Sequence, residues 1–549
     1  MLAYVASAAP RSTIPGAGKN GKFGTQIALL GDILGFTGPF FIASAPSGTP
    51  SIVSPPTGYA MILHSGNMQP IDVLSGVKNS LIGASLHGGK DVFCDDGNSS
   101  VVLGSPGYQS SAGQVQFGLY GNTLTSQPAL FSVSFSILGD PKDETGWAVR
   151  LIDMDADGCS DLVYSSPGRW GGGGEVMALS LVKDEELFSF NGALQERLGR
   201  GALRPMIQGG SEIGMVIGSS EDSRIKKNGG SVRALVRKGF TAAGKPLFKE
   251  IWNFTKPAKN ALVGASLSSD ADFDGDNFND VLIGAPGVGT VYVVSGAKGT
   301  VLATIKGGNG SQLGTALGVL PDIDADLIPE ILVSDPAANV VYAYSGNLSW
   351  PTPIAIWKGK KGENFGTSLE IAPKSSSTGG PRLLVGASSA GAKNEGAVIL
   401  IDDVDACDDV NEESSIKSGI YIGTAAVNGC PTPLGSTLKI SGTPGQAFSV
   451  FRGGDYNPKK GTKLKSSLNK ECTWQLPNDA AVVAQGTLDS TGAATVTVPV
   501  TVSQLKTKSK VTAAYQVRFG ATAADAAANK FVGCTKTAVQ NNPPGINLQ

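Results

Sequence analysis

The stretch DFDGDNFNDVLIGAP, residues 272–286, decides how the chain is read. Asp272, Asp274, Asp276 and Asp280 crowd four carboxylates into nine residues, with Gly275 among them. Charges that close repel one another unless a cation neutralises them. Alternate oxygens on a tight loop, together with one backbone carbonyl, are what a hard cation such as Ca²⁺ requires. The loop then feeds Val281-Leu282-Ile283, a β-branched run stopped by Gly284-Ala285-Pro286. The stretch therefore reads as an acidic turn entering a short buried strand.

The same sentence recurs as DMDADGCSDLVYSSP at 153–167 and as DIDADLIPEILVSDP at 322–336. A Gly opens each unit, at Gly24, Gly83, Gly146, Gly199, Gly264, Gly314 and Gly366. The matching strand ends are Pro46, Pro106, Pro167, Ser220, Pro286, Pro336 and Ser388, at separations of 22, 23, 21, 21, 22, 22 and 22 residues. The opening glycines themselves lie 50 to 65 residues apart. So fixed a hairpin with such variable connections points to a repeat architecture. A third alternating run follows each hairpin, and a fourth ends in Gly shortly before the next unit. Four short antiparallel strands, seven times over, predict an all-β, seven-bladed β-propeller. The seventh unit shows only three strands before Asp402, and the missing fourth, Thr13-Ile14-Pro15-Gly16, stands before the first. The N-terminal strand is expected to complete the last blade and close the ring, which removes an open edge.

These units resemble the FG-GAP repeats of the integrin α-subunit head, nearly spelled out in Phe23-Gly24, Phe365-Gly366 and Gly284-Ala285-Pro286. The resemblance covers residues 12–402. It implies calcium loops between the first two strands of certain blades, all on one rim, and ligand contacts on the opposite rim. In blade three the implied ligands are Asp153, Asp155, Asp157 and Asp161 with the Cys159 carbonyl. In blade five they are Asp272, Asp274, Asp276 and Asp280 with the Phe278 carbonyl. Blade six offers Asp322, Asp324, Asp326 and Glu330 with the Ile328 carbonyl, but Leu327 and Glu330 depart from the usual Gly and Asp. Two or three structural Ca²⁺ ions are expected, the sixth-blade site being the weaker. Zinc has little to bind to, since His64 and His87 are the chain's two histidines and neither is in an acidic loop.

Composition agrees with a turn-rich β protein. Of 549 residues, 74 are Gly and 16 % are charged, against about 7 % and about 25 % in ordinary soluble proteins. A net charge of −2 supplies no basic field for nucleic acid or an anionic membrane. No apolar run approaches the roughly 20 residues that span a bilayer. With two histidines and no nucleophile, metalloprotease or nucleotide-loop motif, catalysis is not expected.

The loops between second and third strands are long in the first four blades. They carry Tyr108, Arg169, Trp170, Arg224, Lys226 and Lys227, residue types suited to a ligand rim.

Residues 1–11 read as a tail and 403–429 as an acidic connector. Alternating runs in 430–549 suggest an Ig-like β-sandwich. Cys407, Cys430, Cys472 and Cys534 are expected to form two disulfides in an oxidising compartment. Sequons at Asn98, Asn253, Asn309 and Asn347 fit secretion but decide nothing, since the Asn and Ser/Thr content alone gives about four by chance. The expectation is an extracellular or cell-surface calcium-binding protein of adhesion or assembly, acting through protein partners or self-assembly. A filament or coat subunit, and a secreted glycan-binding or glycan-active protein, are the alternatives.

Overall fold

The computed structural model describes residues 11–402 except 33–38, 49–56, 67, 90–91, 93–98, 121–130, 257, 324–326, 349–352 and 373–380. Beyond these it describes residue 404 and the backbone of strands between 414 and 548. Contacts divide the chain into two units, one spanning Ser7–Asp405 and the other holding Ala406–Gln549.

Seven four-stranded antiparallel sheets make up the first unit, each a meander of consecutive strands apart from the last. Blade three shows the plan with Val149–Ile152, Asp161–Ser166, Glu175–Ser180 and Glu185–Asn191. In such a meander the 1–2 and 3–4 connections share one rim, and the 2–3 loops and inter-blade connectors share the other. The second strands are buried along their whole length in blades three, five, six and seven. Being covered on both faces, they carry uninterrupted apolar runs rather than alternation, which is why the sequence reads LVYSS, VLIGA and ILVSD there.

The opening glycines have a backbone reason. All seven lie at positive φ, between 74° and 95°. A Cβ on Gly24 would stand 2.4 Å from the Ala397 carbonyl oxygen, and one on Gly146 would stand 2.5 Å from that of Gln114. Only Gly combines that conformation with that closeness.

The same glycines seal the ring. Ser44 Oγ donates to Gly83 O at 2.7 Å, Ser85 Oγ to Gly146 O at 2.8 Å, and Ser165 Oγ to Gly199 O at 2.9 Å. Ser266 Oγ repeats the contact to Gly314 O at 2.6 Å. The bond from Ser368 Oγ to Gly24 O, 2.8 Å across 344 residues of sequence, joins blade seven to blade one by the same device.

The N-terminal strand Arg11–Pro15 is the outer strand of blade seven, pairing antiparallel with Ala397–Ile401 from Arg11 opposite Ile401 to Pro15 opposite Ala397. Its Ile14 is buried with Phe23, Phe41, Leu384 and Val398, which spans the seam between blades seven and one. The expected clasp is therefore present, starting one residue before residue 12.

The second unit contains antiparallel sheets. One is four-stranded and includes Gly435–Ser441 and Ala493–Pro499; another is six-stranded and built around Ala447–Gly453 and Val511–Gly520. The side chains of Cys407, Cys430, Cys472 and Cys534 lie outside the described residues, as does most of the 403–429 connector.

Candidate functional site: two carboxylate loops on one rim

In blade three, carboxylate oxygens of Asp153, Asp155 and Asp161 lie within 4.8 Å of one another. In blade five, Asp272, Asp274 and Asp276 meet the same limit. A Ca²⁺ ion bonds its oxygens at about 2.3–2.6 Å, so ligands on opposite sides of one ion are separated by about that span.

Backbone amides hold these carboxylates in place. Asp153 Oδ1 and Oδ2 accept from the amides of Ala156 (2.6 Å) and Gly158 (3.1 Å). Asp272 does the same with Gly275 and Asn277, both at 2.7 Å. Asp155 and Asp274 accept from Asp157 N (3.2 Å) and Asp276 N (3.1 Å). Asp157 and Asp276 in turn accept from Cys159 N (2.9 Å) and Phe278 N (3.1 Å). The last carboxylate of each loop opens the second strand and reaches back: Asp161 accepts from Met154 N at 2.8 Å, and Asp280 from Phe273 N at 2.8 Å. Each loop is preorganised by its own amides.

The electrostatics are unbalanced. Burial, with Asp155, Asp157 and Asp153 adding to it, pushes the Asp161 carboxyl up to about 8 against the Met154 amide. Burial likewise pushes Asp280 up to about 6, aided by Asp274 and Asp272 and opposed by the amides of Gly296 and Phe273. A carboxyl that holds its proton more tightly when folded disfavours the folded state as pH rises past its ordinary range. A bound cation removes that penalty.

Blade six keeps part of the arrangement. Asp322 accepts from Leu327 N at 2.9 Å, and Glu330 takes the role of Asp280, accepting from Ile323 N at 2.9 Å and Gly346 N at 3.3 Å. Asp324 and Asp326 lie outside the described residues. Leu327 sits at φ 70° and is 90 % exposed, where Asn277 occupies the equivalent place at φ 71°. A left-handed backbone costs a side chain such as Leu about 1–2 kcal/mol, which Asn partly escapes. Leu327→Asn is therefore expected to stabilise the protein by about 0.5–1 kcal/mol, read as a raised urea midpoint at unchanged slope.

Blade four has no acidic loop, yet its hairpin braces both neighbours. Glu212 Oε2 accepts from Asp153 N at 2.6 Å, and Arg237 donates to Met154 O at 2.7 Å. On the other side Gly209 N donates to Asn277 O and Asn279 N to Ile207 O. Sequence reading missed Glu212 and Arg237, which belong to no repeated motif. It also missed that the Cys159 side chain is disulfide-bonded, to a cysteine side chain outside the described residues.

On the opposite rim, Arg169 is drawn inward to Glu175 at 2.9 Å and Asp143 at 3.7 Å. Arg224 pairs with Asp222 at 2.6 Å and Glu196 at 3.0 Å. Both arginines thus hold the rim together. Tyr108 is half-buried, and Lys226 and Lys227 are exposed. Trp170 is 61 % exposed at φ 55°, and Leu194 and Ile225 on the neighbouring loops are exposed as well. Their loops are tied through Arg197 N to Gly172 O and Ser223 N to Gln195 O, both 3.0 Å.

The family model for the FG-GAP repeat matches residues 263–297, the opening glycine, acidic loop and central strands of blade five. The chain carries an FG-GAP repeat in a seven-bladed propeller. The resemblance to the integrin-α-like propeller is borne out to that extent. No curated protein matches the chain. Among solved structures, the chain is similar to Chaetomium thermophilum Sqt1 bound to the N-terminus of ribosomal protein L10. Identity there is 13 %, the match covers 68 % of this chain and 84 % of that one, and the TM-score is 0.43. It is also similar to BBS1N in complex with ARL6DN, at 10 % identity over 72 % of this chain and 96 % of that one, with a TM-score of 0.44.

The propeller also has a half-open cavity of about 510 Å³, lined by first-strand residues of all seven blades, including Gln26, Ser85, Arg150, Arg204 and Glu370. Burial pushes Glu370 up to about 7, opposed by Arg204 and reinforced by Asp270. Burial also pushes Arg204 down, against Asp270 and Glu370. Because the folded chain holds the Glu370 proton more tightly, its contribution is fully present below its ordinary range. That contribution is lost as pH climbs to about 7. Glu370→Gln is expected to raise the melting temperature at about pH 8 and to flatten the decline between about pH 5 and 7.

Proposed function

We propose that the protein is an extracellular, calcium-stabilised propeller of adhesion or protein–protein assembly, with an Ig-like β-sandwich in residues 430–549 and no catalytic role. The observation that carries the calcium part is the pair of amide-pinned, oxygen-only carboxylate sets in blades three and five. Their residues fit Ca²⁺ better than Mg²⁺, which retains several waters and resists an all-protein cage. Asp153, Asp155 and Asp161 would hold one ion and Asp272, Asp274 and Asp276 the other. Asp157, Asp280 and the carbonyls of Cys159 and Phe278 stand near enough in sequence to complete the sets. The ion supplies positive charge that stiffens the rim.

Support for an oxidising compartment comes from the disulfide-bonded Cys159. The sequon residues Asn253, Asn309 and Asn347 are exposed. Support for a protein partner comes from the rim where Trp170, Leu194 and Ile225 are exposed beside Lys226 and Lys227. An exposed Trp on a braced loop suits a binding hot spot. Among the described residues no helix is long and apolar enough to cross a membrane.

Crosslinking and electron microscopy of native material test this reading. Particles with one heterologous partner, lost on Trp170→Asp with Ile225→Asp, are expected. Polymers of the chain would favour a filament or coat subunit, and retention of a glycan ligand by the double variant would favour the glycan alternative.

A further inference from the structure

The 3–4 turns share a rim with the carboxylate loops, and two of them carry a lysine at the same place. Lys183 follows Ser180, the last residue of the third strand in blade three. Lys298 stands three residues after Ser295, which occupies the same position in blade five. Lys183 Nζ pairs with Asp155 Oδ2 and, at 2.9 Å, with Asp157 Oδ2. Lys298 Nζ approaches the equivalent Asp276 Oδ2 at 3.5 Å. Blade six has Leu348 at this position, packed against the apolar cluster of Leu282, Val293 and Tyr344.

Which oxygens the lysine takes is decisive. Asp155 Oδ1 and Asp157 Oδ1 already accept backbone amides, from Asp157 and Cys159. Of the four oxygens of Asp155 and Asp157, the two that accept no amide are the two that Lys183 holds. We infer that Lys183 and Lys298 are tethered cations that compete with the metal ion and set the affinity of their loops, blade three being the more strongly opposed. This rests on the reading that the loops take calcium.

The two blades differ in degree for a physical reason. The Lys183 side chain is 42 % exposed and grips an almost fully buried Asp155, whereas Lys298 is 64 % exposed and makes one longer contact. A buried partner and two short contacts are screened less than one exposed contact. An ammonium and a divalent ion cannot share the same two oxygens, so loading blade three requires Lys183 to swing out. Blade five surrenders little when Lys298 moves. Without metal, the lysines relieve the repulsion within their loops.

Calcium titration calorimetry on the metal-stripped full chain tests this, with Lys183→Met, Lys298→Met and Lys183→Arg beside the parent protein. Lys183→Met should tighten one site by about tenfold or more and lower the metal-free melting temperature. Lys298→Met should change affinity by less than about threefold, and Lys183→Arg should restore the weaker binding. Unchanged or weakened binding in Lys183→Met, with calcium still bound by the parent, would overturn this inference and leave the calcium reading intact. No calcium heat from the parent or any variant would overturn both.

Discussion

Deleting residues 1–18 should destabilise the whole ring. The deletion removes the five-residue ladder of Arg11–Pro15 with Ala397–Ile401. It also removes the buried Ile14 and the bond from Ala17 N to Tyr59 Oη at 2.8 Å. Arg11 additionally donates to Lys358 O at 2.7 Å, so the clasp touches blade six as well. Burying one Ile side chain is worth about 1.5–3 kcal/mol. With the lost ladder, the deletion should cost roughly 3–5 kcal/mol, or about 4–6 °C in the melting temperature of a ring this size. The bared edge of Ala397–Ile401 should also promote self-association. Thermal melting and size-exclusion chromatography in calcium check this. Unchanged behaviour would mean that the N-terminal strand is dispensable to the closed ring.

Calcium should shift stability by a comparable amount. An ion that binds the folded loops and not the unfolded chain adds about 2.7 kcal/mol per site at a hundredfold excess over its dissociation constant. Two filled sites would then contribute roughly 5 kcal/mol, lost on chelation with EDTA. Asp274→Ala should remove most of one increment, because Asp274 is one of three converging carboxylates and its Oδ1 also orders Asp276 N. Asp324→Ala should cost less, since its loop places Leu327 in a left-handed conformation and uses Glu330 for Asp280. A melting temperature indifferent to EDTA would contradict the calcium reading.

The propeller was legible because its signals are backbone requirements repeated seven times. Each opening Gly has a positive φ and a neighbouring atom closer than 3.0 Å to where a Cβ would stand, so no other residue serves there. The fully buried second strands impose apolar runs of fixed length. The closing strand was legible by subtraction, since three strands were present where four were required. The acidic loops of blades three and five were legible because every carboxylate in them answers a nearby amide at fixed spacing.

The ligand rim was less so. Arg169 and Arg224 read as candidates for a ligand rim, and their pairing with Glu175, Asp143, Asp222 and Glu196 was not foreseen. Asp143 and Glu196 lie 26 and 28 residues from their arginines, and pairs at such separations leave no periodic trace. Lys183 and Lys298 were in principle findable, because aligning the third strands on Ser180 and Ser295 brings them into register. Their contact with the loops becomes evident only once both connections are placed on one rim. Glu212 and Arg237 come from a blade with no acidic loop, so the repeats gave no reason to look there.

The most direct test of the account is the calcium content of the protein. Full-length protein, dialysed against trace calcium and analysed by atomic emission, should carry two or three ions per chain. Asp274→Ala should carry one fewer, with its elution volume in size-exclusion chromatography unchanged. Calcium at background level in the folded parent protein would contradict the account.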